Sequence, residues 1–298
     1  MTVVLTGASG FIGQNLVNAI QQKNPGSIVS LNLRQEPFEK LPAATALIHL
    51  AGKAHDLKNA ANPQAYMDVN YGLTKKLFDE FLKSDIKDFI YFSSVKAVAD
   101  TVEGSLKENR VPDPKTPYGQ SKLKAETYLL SKDIPEGKRL FILRPCMIHG
   151  PGNKGNLNLL YKVVKSGIPY PLGAFNNSRS FLSIDNLLFI IEQILRKPSV
   201  QGGVYNLADD KPLSTSEVIK IIGEASNRKA KIWNISPKVI SLLAKIGDKT
   251  YFPLNSERLK KLTESYIVSN SKIKQALDIQ EFPVSSRDGL LQTIKGFN

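Results

Sequence analysis

Short apolar runs alternate with longer amphipathic ones through the first two-thirds of the chain. Thr2–Thr6, Ile28–Leu33, Ala46–Leu50, Phe89–Ser93, Leu140–Leu143 and Val204–Leu207 are rich in β-branched and aromatic residues, and each predicts a strand. Phe11–Gln22 carries Ile12, Leu16, Val17, Ala19 and Ile20 at helical spacing. Similar patterns predict helices over Tyr66–Ser84, Tyr118–Ser131, Asn156–Ser166, Asp185–Arg196 and Ser214–Ala225. Strands alternating with helices pair in parallel through right-handed crossovers, so the expected fold is α/β, a doubly wound Rossmann sheet. After Gly150 the pattern changes: loops rich in Gly, Pro and Asn (Gly150–Asn156, Gly167–Ser178) interleave with helices. Residues 1–150 with about 180–210 predict the sheet domain, and about 151–179 with 211–298 a smaller, mainly helical lobe. No internal repeat or low-complexity segment stands out.

Composition removes several classes. A chain of 298 residues that is 42% hydrophobic and 22% charged is neither a disordered segment nor a minimal module. The single cysteine, Cys146, excludes an intramolecular disulfide and a Cys-rich zinc module, and it reads as a buried, inert thiol. Three scattered histidines lack metal-ligand spacing, so no metal is expected. His49 lies inside an apolar strand and reads as a hydrogen-bonded core residue, while His55 and His149 fall on predicted loops. Ile184–Leu195 is the most apolar stretch, but Asp185, Asn186, Glu192 and Gln193 interrupt it, and it is too short to span a bilayer. The N-terminus has no leader pattern, so a soluble, cytoplasmic protein is expected.

The net charge of +13 is uneven, +4 over residues 1–149 and +9 over 150–298. That excess suits an anionic substrate or an anionic bilayer. It lacks aromatic interleaving and any nucleic-acid module, so no nucleic-acid partner is expected. Pro237–Ile246 reads as an amphipathic helix with lysines at its edges, on the surface or facing the core, and leaves peripheral membrane association open. Trp233 is expected to pack within the smaller lobe.

The chemistry begins at the first strand, which runs directly into Gly7-Ala-Ser9-Gly10-Phe11-Ile12-Gly13. Gly7 permits a sharp turn, Gly10 lets backbone N–H groups approach a pyrophosphate, and Gly13 lets the helix pack on the strand. The helix N-terminus adds partial positive charge. An ordinary Gly-rich turn is the plain alternative, but the strand–turn–helix context at the chain start favours dinucleotide binding. The second strand ends in Asn32-Leu-Arg34. A carboxylate there would hold the ribose of NAD, whereas an arginine accommodates a 2′-phosphate, so NAD or NADP is expected with NADP(H) favoured. Tyr118-Gly-Gln-Ser-Lys122 puts a phenol and an ammonium on one helical face. Lowering a phenol from a pKa near 10 to near neutrality needs about 4 kcal/mol, comparable to one charge at ~4 Å, and a lysine together with the positive charge of an oxidised nicotinamide can supply that. Ser93-Ser94 closes a strand at the carboxyl edge of the sheet, where a hydroxyl can donate to a substrate oxygen.

Gly7–Gly13, Leu50-Ala51-Gly52, Asn70, Ser93-Ser94, Tyr118…Lys122, Arg144-Pro145…Gly150-Pro-Gly152 and Arg179-Ser-Phe-Leu-Ser-Ile-Asp185 together resemble the extended short-chain dehydrogenase/reductase family. More narrowly, they resemble its NAD-dependent epimerase/dehydratase branch acting on nucleotide sugars. The resemblance implies Tyr118 as acid/base, Lys122 as its partner and Ser94 as the hydroxyl orienting the sugar. It implies a cofactor site lined by Leu50, Ala51, Gly52, Lys53, Asn70 and Pro145, besides the glycine turn. It gives Lys96, Asn156, Arg179 and Arg258 to the substrate, with Arg179 gripping the diphosphate. It also implies a homodimer through the helices at Tyr66–Ser84 and from Tyr118.

Two departures narrow the reaction. Dehydratases of the branch carry an Asp-Glu pair after the strand-end hydroxyl, whereas Val95-Lys96 follows Ser94 here, which argues against dehydration. Sugar epimerases usually have asparagine where Met147 falls. Ser93-Ser-Val-Lys96, Pro151-Gly-Asn-Lys-Gly-Asn-Leu157 and Pro171-Leu-Gly173…Asn177-Ser-Arg-Ser180 resemble a subgroup of bacterial lipopolysaccharide enzymes, and that resemblance implies hydride transfer at C4 of a UDP-sugar, foremost reduction of a 4-keto-6-deoxy sugar. UDP-glucose or UDP-N-acetylglucosamine 4-epimerisation is the alternative. A non-catalytic dinucleotide sensor on the same fold is the alternative of another class.

Overall fold

The structure is a computed structural model describing residues 1–33, 40–53, 62–153, 156–250 and 255–297, without the side chains of Asn156 and Lys261. The expectations for Arg34, His55 and the Asn156 side chain lie outside the described residues. The chain runs β1 (Val3–Thr6), α1 (Phe11–Lys23), β2 (Ile28–Leu31), β3 (Ala46–His49), α2 (Pro63–Tyr66), a π turn (Met67–Gly72), α3 (Leu73–Lys83), β4 (Asp88–Phe92) and a 3-10 turn (Val95–Ala97). Then come β5 (Ser105–Leu106), α4 (Pro117–Leu130), β6 (Arg139–Pro145), β7 (Met147–His149), α5 (Asn156–Lys165), β8 (Phe181–Ser183), α6 (Ile184–Arg196) and β9 (Gly203–Leu207). The remainder is α7 (Thr215–Ala225), α8 (Pro237–Gly247), α9 (Ser256–Thr263), β10 (Ile267–Val268), α10 (Ser271–Leu277) and α11 (Ser286–Lys295).

Six strands form one parallel sheet in the order β2-β1-β3-β4-β6-β9. The strand order reverses across β1, because β2 lies on one side and β3 on the other. A crevice opens at the carboxyl ends of such a pair, and the glycine turn after β1 stands there. The strands read as continuous apolar runs because both faces are covered. Val3, Leu5, Ile48, Ile90, Phe92, Phe141 and Leu143 pack on one side with Leu187, Ile190, Ile191 and Ile194 of α6. Val4, Leu47, Phe89 and Ile142 pack on the other with Leu77, Phe78 and Phe81 of α3 and Leu129 of α4.

A second core gathers Leu157, Tyr161 and Val164 of α5, Val218 and Ile222 of α7, Ile240 and Ala244 of α8, and Leu290 and Ile294 of α11. β8 joins the two cores by strand alternation: Phe181 enters the second core and Leu182 the first. From the C-terminal stretch, Ile273, Leu277 and Phe282 pack with the sheet rather than with the helical lobe.

Three local expectations change. The helix expected over Tyr66–Ser84 is interrupted by the π turn at Met67–Gly72. His149 ends β7 and is fully buried instead of standing on a loop. Trp233, expected inside the lobe, is 55% exposed.

Candidate active site

The glycine turn is shaped by close contacts. Gly7 has φ +71°, and a Cβ there would come within 2.7 Å of the Ala51 nitrogen. A Cβ at Gly13 would approach the Gly7 carbonyl oxygen to 2.3 Å, so this glycine lets α1 lean on the turn. Gly10 differs: a Cβ would touch only the Gly7 oxygen, at 3.4 Å. Packing does not demand glycine there, and its bareness leaves the N-terminus of α1 open. No side chain caps that N-terminus, and Ser9 and Gly10 are exposed beside it. A pyrophosphate fits this cradle, meeting the N–H groups of Phe11, Ile12 and Gly13 and the helix dipole. Asn32 follows β2 directly beside the end of β1, where an adenosine ribose would lie.

Leu50-Ala51-Gly52 runs from this cradle to the catalytic candidates. Ala51 crowds Gly7, and a Cβ at Gly52 would stand 2.9 Å from Asn70 Oδ1 and 3.3 Å from Lys122 Nζ. Asn70, inside the π turn, is buried; its Oδ1 accepts from Lys53 N–H at 2.7 Å and its Nδ2 donates to the Lys53 carbonyl at 3.1 Å. The same Nδ2 donates to Ser121 Oγ at 2.9 Å, whose hydroxyl donates to the Tyr118 carbonyl at 2.7 Å. Asn70 therefore pins the strip after β3 to the first turn of α4. Pro145 is buried at the end of β6, paired with Leu207 of β9.

Tyr118 and Ser94 meet. The Ser94 hydroxyl stands beside the Tyr118 phenol, close enough to draw its pKa down, and Ser94 also caps the 3-10 turn by accepting from Lys96 N–H at 3.2 Å. Lys122 Nζ, fully buried, donates to the Phe92 carbonyl at 2.8 Å and lies 4.9 Å from the Tyr91 ring centroid. Desolvation lowers Lys122 to a pKa of about 8 even though Glu126, one turn on, pulls it upward. Glu126 in turn is held by Arg144 in a buried ion pair at 2.5 Å. Burial raises the Tyr118 phenol, and the neighbouring Ser94 hydroxyl opposes the rise without reversing it. Lys122 donates its ammonium to the Phe92 carbonyl and is itself penalised by burial.

Lys96 and Arg179 come together on the other side of Ser94. Lys96 Nζ donates to the Asp100 carbonyl at 2.8 Å and lies 4.3 Å from the Tyr266 ring centroid. Arg179 Nε donates to the Glu264 carbonyl at 2.9 Å. Each cation is pushed down first by burial, and for Lys96 the charge of Arg179 adds to the effect. Two partly buried like charges this close favour an anion between them. Arg258 stands exposed on the first turn of α9, one turn before Leu262, whose carbonyl accepts from Asn177 at 3.1 Å near Arg179.

Several contributors escaped sequence reasoning. Tyr66 packs edge-on to Tyr118, ring centroids 6.3 Å apart, and Lys53 Nζ lies over its other side at 5.2 Å. Tyr266 ties the 3-10 turn to the lobe by donating to the Ala99 carbonyl at 2.8 Å. Neither tyrosine has a distinctive neighbourhood in the sequence. Glu126 does: a carboxylate four residues after Lys122 demands a buried partner, and Arg144 inside an apolar strand supplies one. Cys146 packs against the sheet core with its thiol pushed up by burial, and among the described residues no group of three His, Cys, Asp or Glu could hold a metal.

The profile of the NAD dependent epimerase/dehydratase family matches residues 3–208. The chain is 28% identical to a UDP-glucose 4-epimerase of Vibrio cholerae over 99% of its own length and 95% of that protein's. It is 26% identical to a GDP-6-deoxy-D-mannose reductase of Pseudomonas aeruginosa, over 76% and 81%. Its fold superposes with TM-score 0.76 and 19% identity on UDP-glucuronic acid 4-epimerase from Bacillus cereus in complex with UDP-glucuronic acid and NAD, covering 100% of this chain and 99% of that one. Among the described residues no helix is long and apolar enough to cross a membrane.

Proposed function

The chain belongs to the NAD dependent epimerase/dehydratase family, and from that premise we propose that it interconverts an alcohol and a ketone at C4 of a UDP-sugar. The observation that carries this reading is the Tyr118–Ser94 hydroxyl pair, set across Gly52 from the glycine cradle with Lys122 beneath. The nicotinamide dinucleotide, held by Gly7–Gly13, Asn32, Leu50–Lys53, Asn70 and Pro145, supplies hydride exchange with the sugar carbon. Ser94 and Tyr118 both address the sugar oxygen, and Tyr118 gives or takes its proton. Lys122 holds the cofactor ribose and balances charge near the phenol. Lys96 and Arg179 bind the diphosphate, and Asn156 and Arg258 contact the nucleotide.

We read the direction as reduction of a 4-keto sugar. Met147 stands where sugar epimerases usually have asparagine. The absent carboxylate at the end of β2 goes with NADPH, a reductant. The specific observation favouring epimerisation is the full-length similarity to a 4-epimerase. Two copies would pair through α3 and α4.

Denaturing the purified protein and resolving the released nucleotide by ion exchange separates the two. An empty site that turns over UDP-4-keto-6-deoxyglucose with NADPH supports reduction. Stoichiometric NAD with turnover of a UDP-hexose supports epimerisation. In either case Tyr118→Phe should lower kcat at least roughly 100-fold, and near-native turnover in that variant would overturn the assignment.

A further inference from the structure

The exposed apolar residues are unevenly spread. Of the eleven large hydrophobic side chains exposed among the described residues, five fall between positions 233 and 246. Four of them, Val239, Leu242, Leu243 and Ile246, are 41–61% exposed and follow i, i+3, i+4, i+7 spacing on α8. They form one stripe along the helix. The stripe that holds α8 to the lobe is a different one, Ile240, Ala244 and Gly247. Helix α8 therefore has two adjoining apolar faces, one used by the fold and one turned to solvent. Trp233, 55% exposed, precedes the helix by four residues and so lies within about 14 Å of its first turn.

The charge around this stripe has one sign. Lys238 and Lys245 run along its edge at i, i+7, and Lys249 continues that line just past the helix. Residues 228–250 hold six basic side chains, all exposed, against one acidic residue, Asp248, whose carboxylate is engaged by Ser256. An aliphatic stripe bordered by lysines, with a nearby exposed tryptophan, has the chemistry of a helix lying in a membrane interface: aliphatic groups enter the acyl boundary while ammonium groups reach the phosphates. A second copy of this chain fits poorly. Symmetric self-pairing through this face would set the Lys238–Lys245–Lys249 row against its own image.

We propose that the exposed face of α8, with Trp233, docks the protein on the surface of an anionic phospholipid bilayer. The docking is independent of the hydride chemistry, since none of these residues belongs to the catalytic or cofactor constellation. It is peripheral, because α8 has only 11 residues and no helix among the described residues is long enough to cross.

Vesicle flotation of the full chain tests this, with phosphatidylcholine alone and with phosphatidylcholine containing phosphatidylglycerol. Trp233 is the only tryptophan, so its emission reports the surface directly. The expected results are flotation with the anionic vesicles only, a blue shift of Trp233, and release at high salt. Lys238→Gln with Lys245→Gln should weaken binding roughly ten- to thirtyfold. Leu242→Ser with Ile246→Ser should abolish the blue shift. All four residues are exposed, so melting temperature and turnover should stay at wild-type values, which separates lost docking from lost folding. The proposal is overturned if the wild type does not float, if it floats without a blue shift, or if both double variants bind like the wild type. It is equally overturned if sedimentation shows the α8 face buried in an oligomer that the Leu242/Ile246 variant dissociates.

Discussion

His49 shows what one side chain does beneath the site. Its Nδ1 accepts from Thr6 Oγ1 at 2.7 Å, and its Nε2 donates to Thr74 Oγ1 at 2.9 Å, which in turn donates to the Asn70 carbonyl at 2.7 Å. Thr6 Oγ1 is left to accept from Ala51 N–H at 3.1 Å. One neutral imidazole thus links β1, the strip after β3 and the π turn. Burial first, and the Lys122 charge second, lower its pKa to about 3. The unfolded chain takes up a proton near pH 6.5 that the native state refuses. This contribution to stability is therefore full above pH 6.5 and is lost as pH falls towards about 3. His49→Gln should remove that dependence: between pH 6.5 and 5 its unfolding free energy should fall by about 1.5 kcal/mol less than that of the wild type. Urea melts at the two pH values measure it, and equal losses in both proteins would refute the linkage. The core placement of His49 is readable from the sequence, since an apolar strand surrounds it. Its two partners are not, because Thr6 on β1 and Thr74 on α3 reach it only once the strands are in register and the helix is packed on them.

At the scale of elements, the site depends on how closely α4 approaches the 3-10 turn. Gly119 is the point of contact: a Cβ there would come within 2.4 Å of the Lys96 carbonyl oxygen and 2.8 Å of Pro114 Cβ. Asp100 reinforces the junction, accepting from Lys115 N–H at 2.7 Å and from the Thr116 hydroxyl at 3.2 Å, while Thr116 caps α4 by accepting from Gly119 N–H at 3.2 Å. Gly119→Ala must push α4 away from Ser94. We expect about 1–3 kcal/mol of destabilisation and a kcat loss of at least roughly tenfold from a displaced Tyr118. Thermal melts and steady-state kinetics check this, and wild-type kcat would show that the junction tolerates the shift. The Tyr-x-x-x-Lys spacing made α4 legible as a helix with a phenol and an ammonium on one face. The glycine between them carried no such signal, because its reason lies in a carbonyl twenty-three residues upstream. The π turn was equally hidden: its apolar pattern reads as uninterrupted helix, and the extra residue per turn shows itself only through the inward aim of Asn70.

Across the whole molecule, the sheet and the helical lobe must keep Lys96 and Arg179 in register, and the join is polar. Asp209, fully buried after β9, accepts from Ser183 N–H at 3.0 and 3.1 Å and from Asn186 Nδ2 at 2.7 Å. Asn186 reaches Val284 through two further hydrogen bonds, and His149, 3.7 Å from Asp209, pairs with Thr293 on α11 at 2.8 Å. Alternation and helical spacing located most of the elements on either side of this join, because each element advertises its own apolar face. They could not locate the join, which is built from residues far apart in the chain with no local period. Removing the carboxylate leaves Ser183 N–H buried without an acceptor and takes one of the two acceptors of Asn186 Nδ2, which keeps the Val284 carbonyl. Asp209→Ala should therefore cost about 2–4 kcal/mol, and the loss should appear as lost cooperativity between the parts. Trp233 lies in the helical lobe, so its fluorescence follows that part, while far-UV circular dichroism follows the whole chain. The two probes should coincide in urea for the wild type and separate for Asp209→Ala, with the fluorescence midpoint falling first. Coincident transitions shifted together would mean that the two cores are coupled through β8 alone. In that case Lys96 and Arg179 would keep their register without the polar join, and the variant's KM for the proposed substrate would match that of the wild type.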